Sequence, residues 1–146
     1  MTYQTIGYDK LNQLRHARFF KDFDGVKAQM EKHRAIIAPK FKVVLDKLDE
    51  EIAPLGIGRW HKPNGGYFIS FNGLDGTAKR TVQLCKEAGV IMTDAGATFP
   101  YGVDPHDSNI RVAPTYPTVE ELSEAIEVFC TAAKLAALEV LSENAG

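Results

Sequence analysis

Apolar side chains recur every three or four residues from Val26 to Ile52. Val26, Met30, Ile37, Phe41, Val44, Leu45, Leu48 and Ile52 fall on one stripe, with His33 among them. This spacing predicts a long amphipathic helix. Pro39 lies inside it, removes a backbone donor and crowds the preceding turn, so a kink or a division into two helices is expected there. His33 reads as a partly buried structural histidine. The acidic close Asp49-Glu50-Glu51 is unfavourable at a helix C-terminus and is expected to fray; Pro54 and Gly56 stop the helix. Ahead of it, Tyr8 to Phe20 carries Leu11, Leu14 and Arg18 at helical spacing, and Lys21 to Asp24 is a polar break. Residues 1–7 read as a lead-in strand or loop.

The period then shortens to two. Tyr67-Phe68-Ile69-Ser70-Phe71 is aromatic and β-branched and is bounded by Gly65, Gly66 and Gly73, so it predicts a strand with Tyr67, Ile69 and Phe71 on one face. Ile57 to His61 is a shorter candidate strand, joined to it by the turn Lys62–Gly66. Asp75 to Ala88 predicts a helix with Asp75 as N-cap and Gly89 as stop, followed by a strand at Val90 to Thr93. The last helix opens at Thr118, which forms a capping box with Glu121. Its expected buried face is Val119, Leu122, Ile126, Phe129, Ala133, Ala136 and Val140.

Between these elements lies Ala95 to Thr118, crowded with turn formers: Gly96, Pro100, Gly102, Asp104, Pro105, Asp107, Ser108 and Asn109. The strand Asn109–Ala113 follows them. If Ile110 and Val112 face the core, Arg111 leaves on the opposite side. A guanidinium mounted there beside a turn-rich loop suits a carboxylate, because its planar fork donates two parallel hydrogen bonds. A surface ion pair is the commoner role for a strand arginine. Helices, two strands, helix, strand, loop, strand and helix make an α+β chain: a small mixed or antiparallel sheet with helices on one side, preceded by the long helix. The wide stripe of that helix leaves room for a partner outside the chain.

Composition narrows the function classes. With 17 basic and 19 acidic residues the net charge is −2, and no charged block supplies a basic face for nucleic acid. Cys85 and Cys130 sit among apolar neighbours and read as small buried residues. His16, His33, His61 and His106 are scattered, so no metal site is expected. No window approaches the roughly 20 apolar residues of a membrane span. A reducing, cytoplasmic setting fits this cysteine usage.

No self-contained active site emerges. Gly-x-Gly-x-x-Gly, Walker and Gly-x-Ser-x-Gly motifs are all missing. Gly73-Leu74-Asp75-Gly76-Thr77 opens a helix whose N-terminus can hold an anion, but the preferred reading is a plain connecting turn. Asp104 and Asp107 straddle His106 but read as turn caps. Tyr101 and Tyr116 flank the Arg111 strand, either to meet a ligand or, the preferred reading, to pack.

Pro63-Asn64-Gly65-Gly66-Tyr67-Phe68, Gly89-Val90, Gly96-Ala97-Thr98-Phe99-Pro100-Tyr101-Gly102 and Asn109-Ile110-Arg111-Val112-Ala113-Pro114 occur in one order. Together they resemble the C-terminal portion of fold-type I, pyridoxal-phosphate-dependent aminotransferases. The narrower likeness is to the actinobacterial aspartate aminotransferase branch, also called MocR-like, in which a run such as Gln4-Thr5-Ile6-Gly7 to Phe20 follows the segment bearing the cofactor lysine. The resemblance implies that Arg111 clamps the substrate α-carboxylate. It implies that Gly65 and Gly66 open a small-domain strand. It also implies that Gly66, Thr98, Phe99 and Tyr101 line the pocket, with Phe99 closest to the cleft.

One departure from the family is plain: no lysine follows a serine in the family's manner. The resemblance therefore implies a fragment, with residues 1–22 ending the large domain and residues 23–146 forming the small domain. No catalytic residue is expected in it. Pyridoxal phosphate is expected in the complete enzyme and not on this fragment. Amino acid and 2-oxo acid substrates, aspartate or another dicarboxylic amino acid with 2-oxoglutarate, and a homodimer are implied for the complete enzyme. Two other roles stay open: the effector-binding half of a transcription regulator, and a stand-alone interaction domain.

Overall fold

The structure, a computed structural model, describes residues 9–145. The element order is α1 (Lys10–Phe20), α2 (Phe23–Glu51), β1 (Gly58–Trp60), β2 (Ile69–Gly73), α3 (Ala78–Glu87), β3 (Asn109–Val112) and α4 (Val119–Asn144). The three strands form one antiparallel sheet in the order β1-β2-β3. This is the expected α+β architecture with a long helix ahead of the sheet. The expected lead-in at residues 1–7, and Tyr8 with it, lies outside the described residues. The chain divides into two compact units, one up to Ala38 and one from Pro39 onward.

In the first unit, the Asp9 carboxylate accepts from the Asn12 N–H at 2.9 Å and so starts α1. No side chain of α1 is buried, and Leu11, Phe19, Phe23 and Met30 are all more than half exposed. His33 corrects the expectation of partial burial. It is exposed and accepts a 2.9 Å hydrogen bond from the Gln29 amide, because none of the described residues of this unit covers the stripe it sits on. α2 carries Pro39 within a single 29-residue helix, so the division into two helices does not occur.

The second unit is built on strand alternation. β2 and β3 pair Ile69 with Val112 and Phe71 with Ile110, and all four side chains are buried. Val44 and Leu48 of α2 and Ile52 just beyond its end join them, with Ala78 and Cys85 of α3 and Leu122, Ile126, Phe129 and Cys130 of α4. Phe71 is central: it stacks on Trp60 with ring centres 6.2 Å apart and meets Phe129 edge-on at 5.1 Å. Gly58 is paired with Gly73, and a Cβ there would lie 2.7 Å from the Phe71 ring, so only glycine leaves the ring its place. Burial pushes the Cys85 and Cys130 thiols up to about 11, so both are neutral packing groups at pH 7.

Polar clamps hold the helices around this core. Arg80 of α3 donates Nε and Nη2 to the two carboxylate oxygens of Glu139 in α4, at 2.7 and 2.8 Å. Lys47 of α2 lies 3.3 Å from both Glu51 and Glu127, and Lys134 of α4 pairs with Glu51. α4 begins with the expected capping box: Glu121 N–H donates to Thr118 Oγ1 while Thr118 N–H donates to Glu121 Oε2.

Two expectations fail between β2 and β3. Val90–Thr93 forms no strand, although its alternation is kept: Val90 and Met92 pack partly buried against the core while Ile91 is 88% exposed. α3 starts at Ala78, later than expected, and Asp75 does not cap it. Its first N–H groups are taken from a distant loop instead. Ala78 N–H donates to the Asp107 carbonyl at 2.7 Å, and Lys79 N–H donates to the Asp107 carboxylate at 3.2 Å. Asp75 accepts from His106 Nδ1 at 3.0 Å. Asp104 organises the same loop by accepting from the N–H groups of His106, Ser108 and Asn109 at 2.8–3.0 Å. Burial alone would raise the Asp104 carboxyl. The three N–H donors, with His106, outweigh it and hold the carboxyl below the ordinary carboxylate range.

Truncating Phe129 to alanine should cost about 3–5 kcal/mol in urea denaturation. Leu138→Ala, at a 61% exposed site on the same helix, should cost less than about 0.5 kcal/mol. Equal losses would mean that the core is not where Phe129 sits. Because the folded-state pKa of Asp104 is depressed, its stabilisation is present above the unfolded value of about 3.9 and is lost as pH falls through the folded value. The Tm of wild type should therefore exceed that of Asp104→Asn at pH 6, with the gap closing below about pH 4; a gap independent of pH would contradict this.

Candidate functional site

β3 sends Arg111 out of the face opposite Ile110 and Val112, directly across from Ser70 of β2. Asn109, two residues earlier, shares that face and pairs with Asn72. The outer face of the sheet is thus a polar row: Ser70, Asn72, Asn109 and Arg111.

Arg111 is half-buried and held from several sides. Its Nη2 donates a long, 3.4 Å hydrogen bond to Thr93 Oγ1. Its guanidinium carbon lies 4.5 Å from the centre of the Phe68 ring, in cation–π range. Its Nε is buried without a partner among the described residues. No aspartate or glutamate among the described residues pairs with it. The surface ion pair that the sequence left open is therefore not made among them. A cleft of about 170 Å³ runs beside it, from Thr93 and Arg111 to Leu122, Ile126 and Phe129. Arg111 is thus a half-buried cation and one of the lining residues of a largely apolar cleft.

The other predicted pocket residues fall in different places. Gly66 is exposed at φ +92 in the turn that leads to Phe68. Thr98 is brought to the sheet, where its hydroxyl donates to Asn109 Oδ1 at 2.6 Å. Phe99 is half-buried in the same loop. Tyr101 and Tyr116 do not pack, which corrects the preferred reading: both project fully into solvent, and Tyr101 does so from a left-handed backbone at φ +59. Asp104 and Asp107 serve as turn caps, as expected, and do not approach Arg111 as an acid–base set.

Phe68, Thr93 and Asn109 are the residues of this site that sequence reasoning missed. Asn109 had a readable signal, since it stands two residues before Arg111 on one strand face. Phe68 and Thr93 gave none, because their approach depends on how two loops return to the sheet. Among the described residues, no group of three histidine, cysteine or carboxylate side chains is arranged to hold a metal ion. No helix there is long and apolar enough to cross a membrane.

Comparison with known proteins fits this geometry. The chain is 51% identical over 138 residues to a Mycolicibacterium smegmatis protein whose proposed activity is that of an aminotransferase. It is 49% identical over 134 residues to the aspartate aminotransferase of Corynebacterium glutamicum, covering 92% of this chain and 31% of that enzyme. The chain thus spans about a third of the length of the curated relatives it matches. The crystal structure of an aspartate transaminase from C. glutamicum superposes with a TM-score of 0.88 at 48% identity, over 94% of this chain and 32% of that one. The α-aminoadipate aminotransferase of Thermus thermophilus superposes at 0.70 with 20% identity, over 92% and 33% of the two chains, and shares the fold. The sequence model of the aspartate amino-transferase family matches residues 1–145, and with nearly every residue inside that match the chain belongs to this family.

Proposed function

We propose that this chain is the substrate-carboxylate-binding domain of a longer, pyridoxal-phosphate-dependent aminotransferase. In this reading residues 1–22 end the large domain and residues 23–146 form the small domain. The observation that carries the reading is Arg111: a half-buried guanidinium, oriented by Thr93 and Phe68, with no carboxylate partner among the described residues. A buried charge without a counter-charge is costly, so such a group points to an anion that arrives with the ligand. With Nε covered, the terminal nitrogens are the edge that meets it. A substrate α-carboxylate held there in two charge-assisted hydrogen bonds is fixed in orientation, and the apolar cleft beside it keeps water away.

The described residues do not themselves fit pyridoxal phosphate. None of the lysines lines the cleft at Arg111. Lys42, Lys47, Lys62 and Lys134 are engaged with carboxylates, and Lys40 donates to the Thr115 carbonyl at 2.9 Å. Asp107 already occupies the first N–H groups of α3. The cofactor, which supplies the carbanion-stabilising chemistry of transamination, belongs in this reading to the rest of the enzyme, together with its lysine. Aspartate or another dicarboxylic amino acid with 2-oxoglutarate is the proposed substrate pair, supported by 49% identity to an aspartate aminotransferase. The actinobacterial, MocR-like branch, a cytoplasmic location and a homodimer complete the proposal. The exposed apolar residues of α1 and early α2 are then surface that the remainder of the enzyme covers.

In the full-length enzyme, Arg111→Ala should lower kcat/KM by about 10²-fold or more, corresponding to a charge-assisted pair of about 3 kcal/mol. An unchanged kcat/KM would remove Arg111 from the site. For the 146-residue chain alone, borohydride reduction after adding pyridoxal phosphate should leave only scattered surface-lysine modification by mass spectrometry. One lysine trapped stoichiometrically would show that the chain carries its own cofactor site.

A further inference from the structure

The loop that precedes β3 is shaped by its own backbone. Ala97 N–H donates to the Asp94 carbonyl, Phe99 N–H to Gly96 and Gly102 N–H to Phe99, at 2.9–3.2 Å. Gly96, at φ +83, lies so close to the Gly102 carbonyl that a Cβ would approach its oxygen to 2.4 Å. These contacts close the loop on itself, but they do not fix where it sits on the sheet. Three side-chain hydrogen bonds tie it to β3 among the described residues. Two lie at its stems: the 3.4 Å bond from Arg111 to Thr93 on one side and the 2.8 Å bond from the Asn109 N–H to Asp104 on the other. The third joins Thr98 to Asn109 at 2.6 Å and is the one made from within the loop.

Asn109 is built to receive that bond. It is 93% buried, and its amide nitrogen donates to Ser70 Oγ at 2.9 Å, to Asn72 Oδ1 at 2.9 Å and to the Phe71 carbonyl at 3.3 Å. The Phe71 carbonyl can only accept, so the amide cannot turn over, and Oδ1 is left facing Thr98. The same strand face carries Arg111 two residues on.

We propose that Thr98 and Asn109 are positioning residues: the hydrogen bond between them latches the 94–103 loop onto the sheet face that carries Arg111, so that the loop borders an acid bound to the guanidinium. This inference rests on the reading of Arg111 as the carboxylate site. The latch acts on ligand fit and contributes no reacting group, so its loss shows in KM and leaves kcat nearly as it was.

Thr98→Val deletes the hydroxyl at nearly constant volume, and Thr98→Ser retains it. In the full-length enzyme, Thr98→Val should raise KM for both the amino acid and the 2-oxo acid about tenfold, the scale of one lost hydrogen bond to a buried acceptor. Its kcat should stay within about twofold, and Thr98→Ser should restore KM. In the isolated chain, Thr98→Val should speed amide hydrogen exchange across residues 95–103 and leave β2 and α4 unchanged. Unchanged KM in Thr98→Val, or a Thr98→Ser enzyme as impaired as Thr98→Val, would overturn the latch. Arg111→Ala measured alongside separates the two ideas. If it raises KM while Thr98→Val does not, the latch alone fails; if it too leaves KM unchanged, the carboxylate reading fails and takes the latch with it.

Discussion

A strand of four residues cannot bury Ile110 and Val112 without presenting Arg111 on its other side. That alternation is the constraint on which the second unit depends. The two aliphatics are locked by Ile69 and Phe71 across the ladder and by Phe129 from α4. A slip of one register position would drive the guanidinium into the core and strand two aliphatic side chains in water. The direction of Arg111 is therefore enforced by the whole of the apolar packing, and its bonds to Thr93 and Phe68 only refine its aim.

The same alternation explains why a charge without a partner is tolerated. Burying an isolated cation is expensive, yet here only part of the group is withdrawn from water. The Phe68 ring lies 4.5 Å from the guanidinium carbon, and the residue as a whole is only half-buried. The residual cost is the kind of local sacrifice that folds make where something else must bind. Three other half-buried cations do have carboxylate partners: Arg80 and Glu139 form a two-pronged bridge, and Lys47, Glu51, Glu127 and Lys134 form a continuous network. Arg111, also half-buried, has none among the described residues.

What could be read in the sequence was what depends on near neighbours. The alternation of β2 and β3, the capping box at Thr118 and Glu121, the turn-capping aspartates and the buried thiols are each set by residues a few positions apart, and each was legible. What could not be read was set by return contacts. The Val90–Thr93 run has strand composition and rests Val90 and Met92 on the core, but among the described residues it joins no ladder. His33 lies on an apolar stripe that its own unit does not cover. The start of α3 moved because its cap comes from Asp107, about thirty positions later. Asn109 looked like one more turn former, and its role as a four-way junction follows from Ser70, Phe71, Asn72 and Thr98 converging on it.

The cap on α3 has a chemical consequence of its own. A helix start offers bare N–H groups and partial positive charge, a natural berth for a phosphate. Here a carboxylate from the protein has moored there permanently, so the berth is taken before any ligand arrives. If Arg111 is the acid site proposed above, selection there falls to the flat, two-toothed geometry that carboxylates satisfy better than tetrahedral anions do, and the start of α3 takes no part in it.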